Sequence, residues 1–274
     1  MPGTFARQFL FRMPAQKKSR FSSNFIFLVL GSLLMVALIA VFLYFKYRGP
    51  SQLEWEFSRS AQIRIPVEYP VHGIDVSKHQ GKIDWTVIHE SPLAENARLE
   101  FVFIKATEGI TIQDKRFKTN YTAAHATNLR VGAYHFFIPW RDPVQQADNF
   151  VNTVKLKSGD LPPVLDVESS HPLKSDEQTI RDIDTWLQLV KKEYGIMPII
   201  YTNRRFYQRF IKGHFDEYPL WLAHYSSEQL SGDISGKLWF WQYSELGKLN
   251  GIKGKVDYNV FLGDLNELEK ICIP

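Results

Sequence analysis

The sequence predicts an α/β fold: an irregular TIM-like barrel of five βα units followed by three strands, preceded by one transmembrane helix. Three observations predict it. From Phe21 to Phe45 there is no charged residue, and roughly 20 apolar residues span a bilayer as a helix. Beyond residue 70, five apolar runs begin about 30 residues apart, the size of a βα unit. Three further apolar runs then follow with only loops between them, too short for crossover helices.

The N-terminal region divides by charge. Residues 1–20 form a basic tail, 21–45 the expected signal anchor, and 46–70 a linker broken by Pro50, Pro66 and Pro70. Five basic residues precede the apolar run, while Lys46 and Arg48 follow closely. The positive-inside bias then puts the N-terminus in the cytoplasm and the rest outside, as in a single-pass protein. The run is longer than a cleavable signal's apolar core, and no clear Ala-x-Ala site follows it. Trp55 and Phe57 suit either the headgroup zone or packing on the domain.

The net charge of +4 belongs to this region. Seven of the 33 basic residues and none of the 29 acidic ones fall in 1–50, so the rest of the chain carries −3. That excludes a nucleic-acid binder on charge grounds. A single cysteine, Cys272, excludes an internal disulfide, and the eight histidines show no metal-ligand spacing, so neither metal nor cofactor is expected. A monomer is expected.

Residues 71–274 hold the catalytic domain. Strands are expected at 71–77, 99–106, 130–137, 161–168 and 197–202, with helices at 84–90, 116–128, 143–155 and 176–194 in the gaps. The last helix is the best signalled: Ser175-Asp-Glu-Gln178 has capping-box form, apolar residues recur at helical spacing from Ile180 to Tyr194, and Gly195 with Pro198 ends it. Continuous apolar strands alternating with helices argue for a parallel sheet covered on its outer face. The three closing strands fall at 219–224, 238–243 and 256–261, and 263–271 suits a closing helix.

The fourth run, Leu161-Pro-Pro-Val-Leu-Asp-Val-Glu168, ends in two acids spaced two apart. On a strand both point to one side, with Cα atoms about 6.6 Å apart. Desolvating two unpaired carboxylates opposes folding, and such a pair suits glycosidic bond cleavage, one acid protonated and the other ionised. A strand end simply reaching water fits the octapeptide equally well. In βα barrels chemistry sits at the carboxyl ends of strands. There the sequence puts Asp75, Ser77, Lys105, Glu108, Tyr134, His135, Phe136, Asp166, Glu168, Tyr201, Asn203, His224, Gln242, Tyr243 and Asp257. Tyr134, Tyr201, Trp241 and Tyr243 suit sugar stacking or barrel lining, and His135 and His224 a bond to the acids or a structural role. Trp221 and Trp239 read as core, and Lys105 with Glu108 as an internal ion pair.

These residues resemble a known family. His72-Gly-Ile-Asp-Val-Ser-Lys-His-Gln-Gly81, Phe103-Ile-Lys-Ala-Thr-Glu-Gly109, Gly132-Ala-Tyr-His-Phe136 and Pro163-Val-Leu-Asp-Val-Glu168 look like successive motifs of the family 25 glycoside hydrolases, the Chalaropsis-type lysozymes. Pro198-Ile-Ile-Tyr201, Leu220-Trp-Leu-Ala223, Trp241-Gln-Tyr243 and Val256-Asp-Tyr-Asn259 continue the series in order. The resemblance implies five βα units followed by three strands. It also implies cleavage of the β-1,4 bond between N-acetylmuramic acid and N-acetylglucosamine in peptidoglycan. By position, Glu168 matches the general acid and Asp166 the carboxylate that assists the 2-acetamido group or stabilises developing positive charge. Asp75 and Asp257 match the cleft's other two acids. The membrane anchor departs from the freely secreted relatives. Substrate contacts are expected from Tyr134, His135, Phe136, Tyr201, His224, Trp241, Gln242, Tyr243 and Glu108.

Two other readings stand beside this one. A chitinase-like hydrolase would need further aspartates where Leu161 and Val164 stand. A catalytically inactive, membrane-tethered peptidoglycan-binding protein would have no need of all four acids.

Overall fold

The computed structural model describes residues 23–47, 54–88, 92–225, 230, 234 and 236–274. The basic tail expected over 1–20 lies outside them, as do residues 21–22, 48–53, 89–90 and most of the 226–237 loop. The chain forms two compact units, Met1–Ser51 and Gln52–Pro274.

The first unit contains one α-helix, Ser23–Tyr47. Its described side chains, at 27, 28 and 30–43, are all exposed. Counted over the described residues, no helix is both long and apolar enough to cross a membrane. The span expected over 21–45 begins two residues before the described helix.

The second unit opens with an antiparallel hairpin of Trp55–Ser58 and Ile63–Pro66, where the sequence reading places a linker. Apolar burial explains the difference. Ala61 and Ile65 are fully buried, and Trp55 sets its ring edge-on against Trp241 and Tyr243. A backbone bond of 2.8 Å from Lys248 to Ala61 ties the turn down. Of the two aromatics, Trp55 packs on the domain and Phe57 stays exposed.

Besides a two-residue strand, Ile112–Gln113, paired antiparallel with the end of the second, eight barrel strands follow: β1 Val71–Val76, β2 Arg98–Glu108, β3 Arg130–Phe136, β4 Val164–Asp166, β5 Ile199–Asn203, β6 Pro219–Ala223, β7 Lys237–Gly247 and β8 Val256–Phe261. Each pairs with the next, and β8 closes the barrel on β1. The first seven are parallel neighbours, whereas β8 runs antiparallel to both β7 and β1. That reversal follows from the short loop before β8, which has no helix to carry the chain back along the barrel.

Alternation along the strands sorts side chains between inside and outside. Val71, Phe101, Phe103, Val164, Ile199, Trp221, Phe240 and Phe261 fill the interior. Ile74, Val102, Ile104, Val131, Leu165, Ile200, Leu222 and Val260 join the separate outer cluster, beneath the helices. Two inward positions are glycines because rings occupy the space. A Cβ on Gly73 would approach the Phe101 ring to 2.3 Å, and one on Gly132 the Phe103 ring to 2.4 Å.

The covering helices are α1 Phe117–Ala124, α2 Pro143–Thr153 and α3 Asp176–Tyr194, with a single turn at Trp85–Ile88. In α3 the Ser175 side chain accepts from Gln178 N, and Gly195 ends the helix at φ 67. Ile183, Trp186, Leu187 and Val190 supply its buried face. After β8, α4 (Leu265–Ile271) packs Leu268 onto the interior cluster, at the end remote from the acids.

Candidate active site

The inward positions that continue past the apolar interior form the site. Asp75 ends this series on β1, Lys105 on β2, Tyr134 and Phe136 on β3, Asp166 on β4, Tyr201 on β5 and Gln242 on β7. Because β8 is reversed, its second residue reaches the same rim, and Asp257 lies directly opposite Asp75 in the ladder. Glu168 stands two residues beyond Asp166, past the end of β4. Together these residues line a cavity of about 370 Å³, with Ser77, His79, Trp221, Tyr225 and Glu245.

A chain of hydrogen bonds fixes one wall. The hydroxyls of Tyr201 (2.7 Å) and Tyr225 donate to Gln242 Oε1, and Gln242 Nε2 donates to Asp75 Oδ2 at 2.7 Å. Trp221 Nε1 donates to Asn259 Oδ1 at 2.8 Å, and Asn259 Nδ2 donates to the same Asp75 oxygen at 2.9 Å. Both amides therefore have one orientation each. Burial pushes Asp75 up, and these two donors oppose the rise. Burial and then the Asp75 charge push Asp257 up to about 8. With Asp75 held by amide N–H groups, the proton of this pair belongs on Asp257.

Asp166 is 7% exposed, and its Oδ1 is buried without a hydrogen-bond partner. Burial first, then the Glu168 charge, raises it well above the ordinary carboxylate range, while Lys105 pulls it down. Glu168 is open at the mouth, but the cleft walls still withhold water from it. Burial and the Asp75 charge raise it, against a bond from Asn203. Lys105 Nζ donates to Glu108 Oε2 at 2.7 Å and lies 4.5 Å from the centre of the Phe136 ring. Burial and the surrounding acids push the Tyr134 phenol up, so it faces the cavity as a proton donor.

Five residues expected to touch substrate lie outside the cavity, and strand alternation explains four of them. His135 sits between two inward neighbours and points out, with Nδ1 2.7 Å from the Thr107 hydroxyl and its ring stacked on Trp186. Burial lowers it to about 3, so it is neutral. Trp241 and Tyr243 flank inward Gln242 and face the hairpin instead. The Tyr243 hydroxyl is 3.1 Å from Nδ1 of His72, which burial also lowers to about 3. His224 follows inward Ala223, and its backbone bonds Gln242 O and Trp241 Nε1. Glu108 lies past a register shift in β2 and reaches the cavity only through Lys105.

Among the residues not expected there, Trp221 shares its parity with Ala223, a signal present in the sequence. His79 lies in the turn that follows β1, inside a motif already singled out, whereas Ser77, at the start of that turn, is one of the expected rim residues. Tyr225 and Glu245 come from a strand exit and a bulged stretch, where no periodicity points to them. A larger groove of about 690 Å³ runs along the flank between Trp85 and the 251–253 turn. Among the described residues its one acid, Asp84, is engaged with Thr86, and no second carboxyl lines it. Among the described residues, no group of three His, Cys, Asp or Glu side chains is placed to hold a metal ion.

A family model described as Glycosyl hydrolases family 25 matches residues 74–252. The chain belongs to that family. YegX of Escherichia coli strain K12 is 43% identical over 213 residues, covering 77% of this chain and 76% of its own length. Lysozyme M1 of Streptomyces globisporus is 33% identical over 211 residues, covering 72% of this chain and 70% of its own. The structure of a family 25 glycosyl hydrolase from Bacillus anthracis superposes with a TM-score of 0.68 at 32% identity, covering 82% of this chain and all of that one. This family 25 chain is a glycoside hydrolase, and its motifs converge on the cleft that holds all four acids.

Proposed function

We propose that this cleft hydrolyses the β-1,4 bond between N-acetylmuramic acid and N-acetylglucosamine in peptidoglycan, using the substrate's own 2-acetamido group as nucleophile. The observation that carries the reading is the placement of Asp166 and Glu168. They leave the end of one strand two residues apart, one buried and one at the mouth. Both meet the sugar from one side, whereas an enzyme nucleophile and its acid flank it from opposite faces.

Glu168 donates its proton to the departing oxygen as the C1–O bond breaks. The acetamido oxygen closes on C1 from the other face, and Asp166 accepts the acetamido N–H and balances the positive charge. Glu168, now ionised, takes a proton from the water that reopens the ring, which returns the original anomer. This route needs the proton on Glu168, although burial raises Asp166 further. An acetamido N–H directed at Asp166, beside Lys105, stabilises its carboxylate and transfers the shared proton to Glu168.

Two measurements test the route. Glu168→Gln abolishes turnover on purified peptidoglycan while leaving the fold intact, and an unchanged rate would refute the assignment. NMR of the first product formed gives the retained anomer, and an inverted one excludes acetamido attack. Cell-wall zymography separates the enzyme from an inactive binding protein.

We further propose that the N-terminal helix anchors the enzyme in a bacterial inner membrane, with the catalytic unit in the periplasm. The support is the uncharged 21–45 run, the basic excess before it, and the exposed apolar side chains of Phe27, Leu28, Leu30, Leu33 and Leu34 on the helix. Carbonate extraction of membranes retains the full chain and releases a form starting at residue 52. Release of both forms overturns the anchor.

A further inference from the structure

Trp140 is 57% exposed, yet the turn that carries it is held by side-chain hydrogen bonds. It lies in the turn leaving β3, four residues after Phe136 in the cavity wall. Gln146, fully buried on α2, pins that turn through three bonds. Its Oε1 accepts from Ile138 N at 2.8 Å, and its Nε2 donates to Ile138 O at 3.1 Å and Arg141 O at 3.3 Å. His135 Nε2 lies 3.2 Å from the same Oε1, so the outward face of β3 is tied into the same network.

The neighbouring loop supports the ring. His171, three residues after Glu168, sets its imidazole 6.1 Å from the indole at an angle of 55°. A tilted contact props the indole without covering its face. The loops leaving two adjacent cleft strands thus meet in an aromatic pair outside the 370 Å³ cavity. A peptidoglycan strand is a polymer, and its sugars continue past the cavity over this rim.

We propose that Trp140, propped by His171, is a stacking platform for an N-acetylated sugar of the same strand outside the cavity, and that it sets the enzyme's preference for long glycans. The proposal rests on the muramidase reading above. An exposed indole presents a broad apolar face, and the pinned turn removes the ordering penalty that a mobile loop would add on binding.

The test compares Trp140→Ala with the native enzyme on two substrates: purified peptidoglycan, and a short chromogenic muramyl glycoside that fills only the cavity. Expected is a rise of about three- to tenfold in KM on the polymer, in line with one aromatic contact, with kcat near native and no change on the short glycoside. Trp140→Tyr restores most of the polymer affinity. Equal losses on both substrates, or native KM on the polymer, overturn the platform. So does a loss confined to binding of anionic lipid vesicles. Glu168→Gln, run beside it, keeps the two claims apart: an inactive Glu168 variant with an unaffected Trp140→Ala refutes the platform alone.

Discussion

Asp257 faces Asp75 across the antiparallel pairing of β8 with β1, while two side-chain amides hold Asp75 through one of its oxygens. The pair therefore carries its proton on Asp257. In the unfolded chain Asp257 loses that proton near pH 4, whereas in the fold it keeps it up to about 8. Native Asp257 thus opposes stability increasingly as pH rises between those values. Asp257→Asn, which cannot titrate and still donates to Asp75, should exceed the wild type in stability by about 1–3 kcal/mol at pH 8 and by nothing at pH 4. Urea denaturation at the two pH values measures this, and a pH-independent difference contradicts it.

Lys105 is the cationic neighbour that favours the ionised form of Asp166. Activity requires one proton on the Asp166–Glu168 pair, so the acid limb of the pH–rate profile marks loss of the first of two. Lys105→Met makes that first ionisation harder. The acid limb of kcat/KM should move to higher pH and the maximum should fall, while Lys105→Arg keeps the limb near its native place. A limb that stays put in Lys105→Met refutes the electrostatic role.

Gln242 is the joint through which two phenols and a carboxylate are held. Gln242→Leu keeps the bulk, strips the Tyr201 hydroxyl of its partner and takes one donor from Asp75. A loss of about 2–3 kcal/mol is expected, from buried polar groups left unpaired. Equilibrium denaturation reads the loss, and native stability would show that the joint carries little.

Tyr243 points away from the sugar cleft, toward His72 and the hairpin. Removing its hydroxyl takes from buried His72 the side-chain partner of its Nδ1 and leaves it only the backbone of Tyr69. Tyr243→Phe should therefore lower stability by about 1–2 kcal/mol with kcat and KM on peptidoglycan unchanged. A selective rise in KM would return Tyr243 to the substrate side.

The eight strands and their covering helices were legible because the apolar runs and their spacing are local features. The shift from long to short connections announced the last three strands, and Ser175 with Gly195 marked both ends of α3. The 46–70 stretch was read as a linker because its prolines are visible and its partner surface, Trp241 and Tyr243, lies far along the chain. Consecutive residues such as Tyr134, His135 and Phe136 cannot all enter one cleft, and strand parity, itself legible, assigns His135 outward.

By itself, then, the sequence determined the order of elements, the pair of acids at the end of the fourth strand and the motifs that mark the family. Period-two alternation and βα spacing are properties of neighbouring residues. Only the tertiary structure decided that β8 runs backwards and so delivers Asp257, its second residue, to the rim opposite Asp75. It alone joined Gln242 and Asn259 to Asp75 over sequence separations of 167 and 184 residues. Proton placement among the four acids depends on that closure, because burial and facing charges exist only once the barrel has formed.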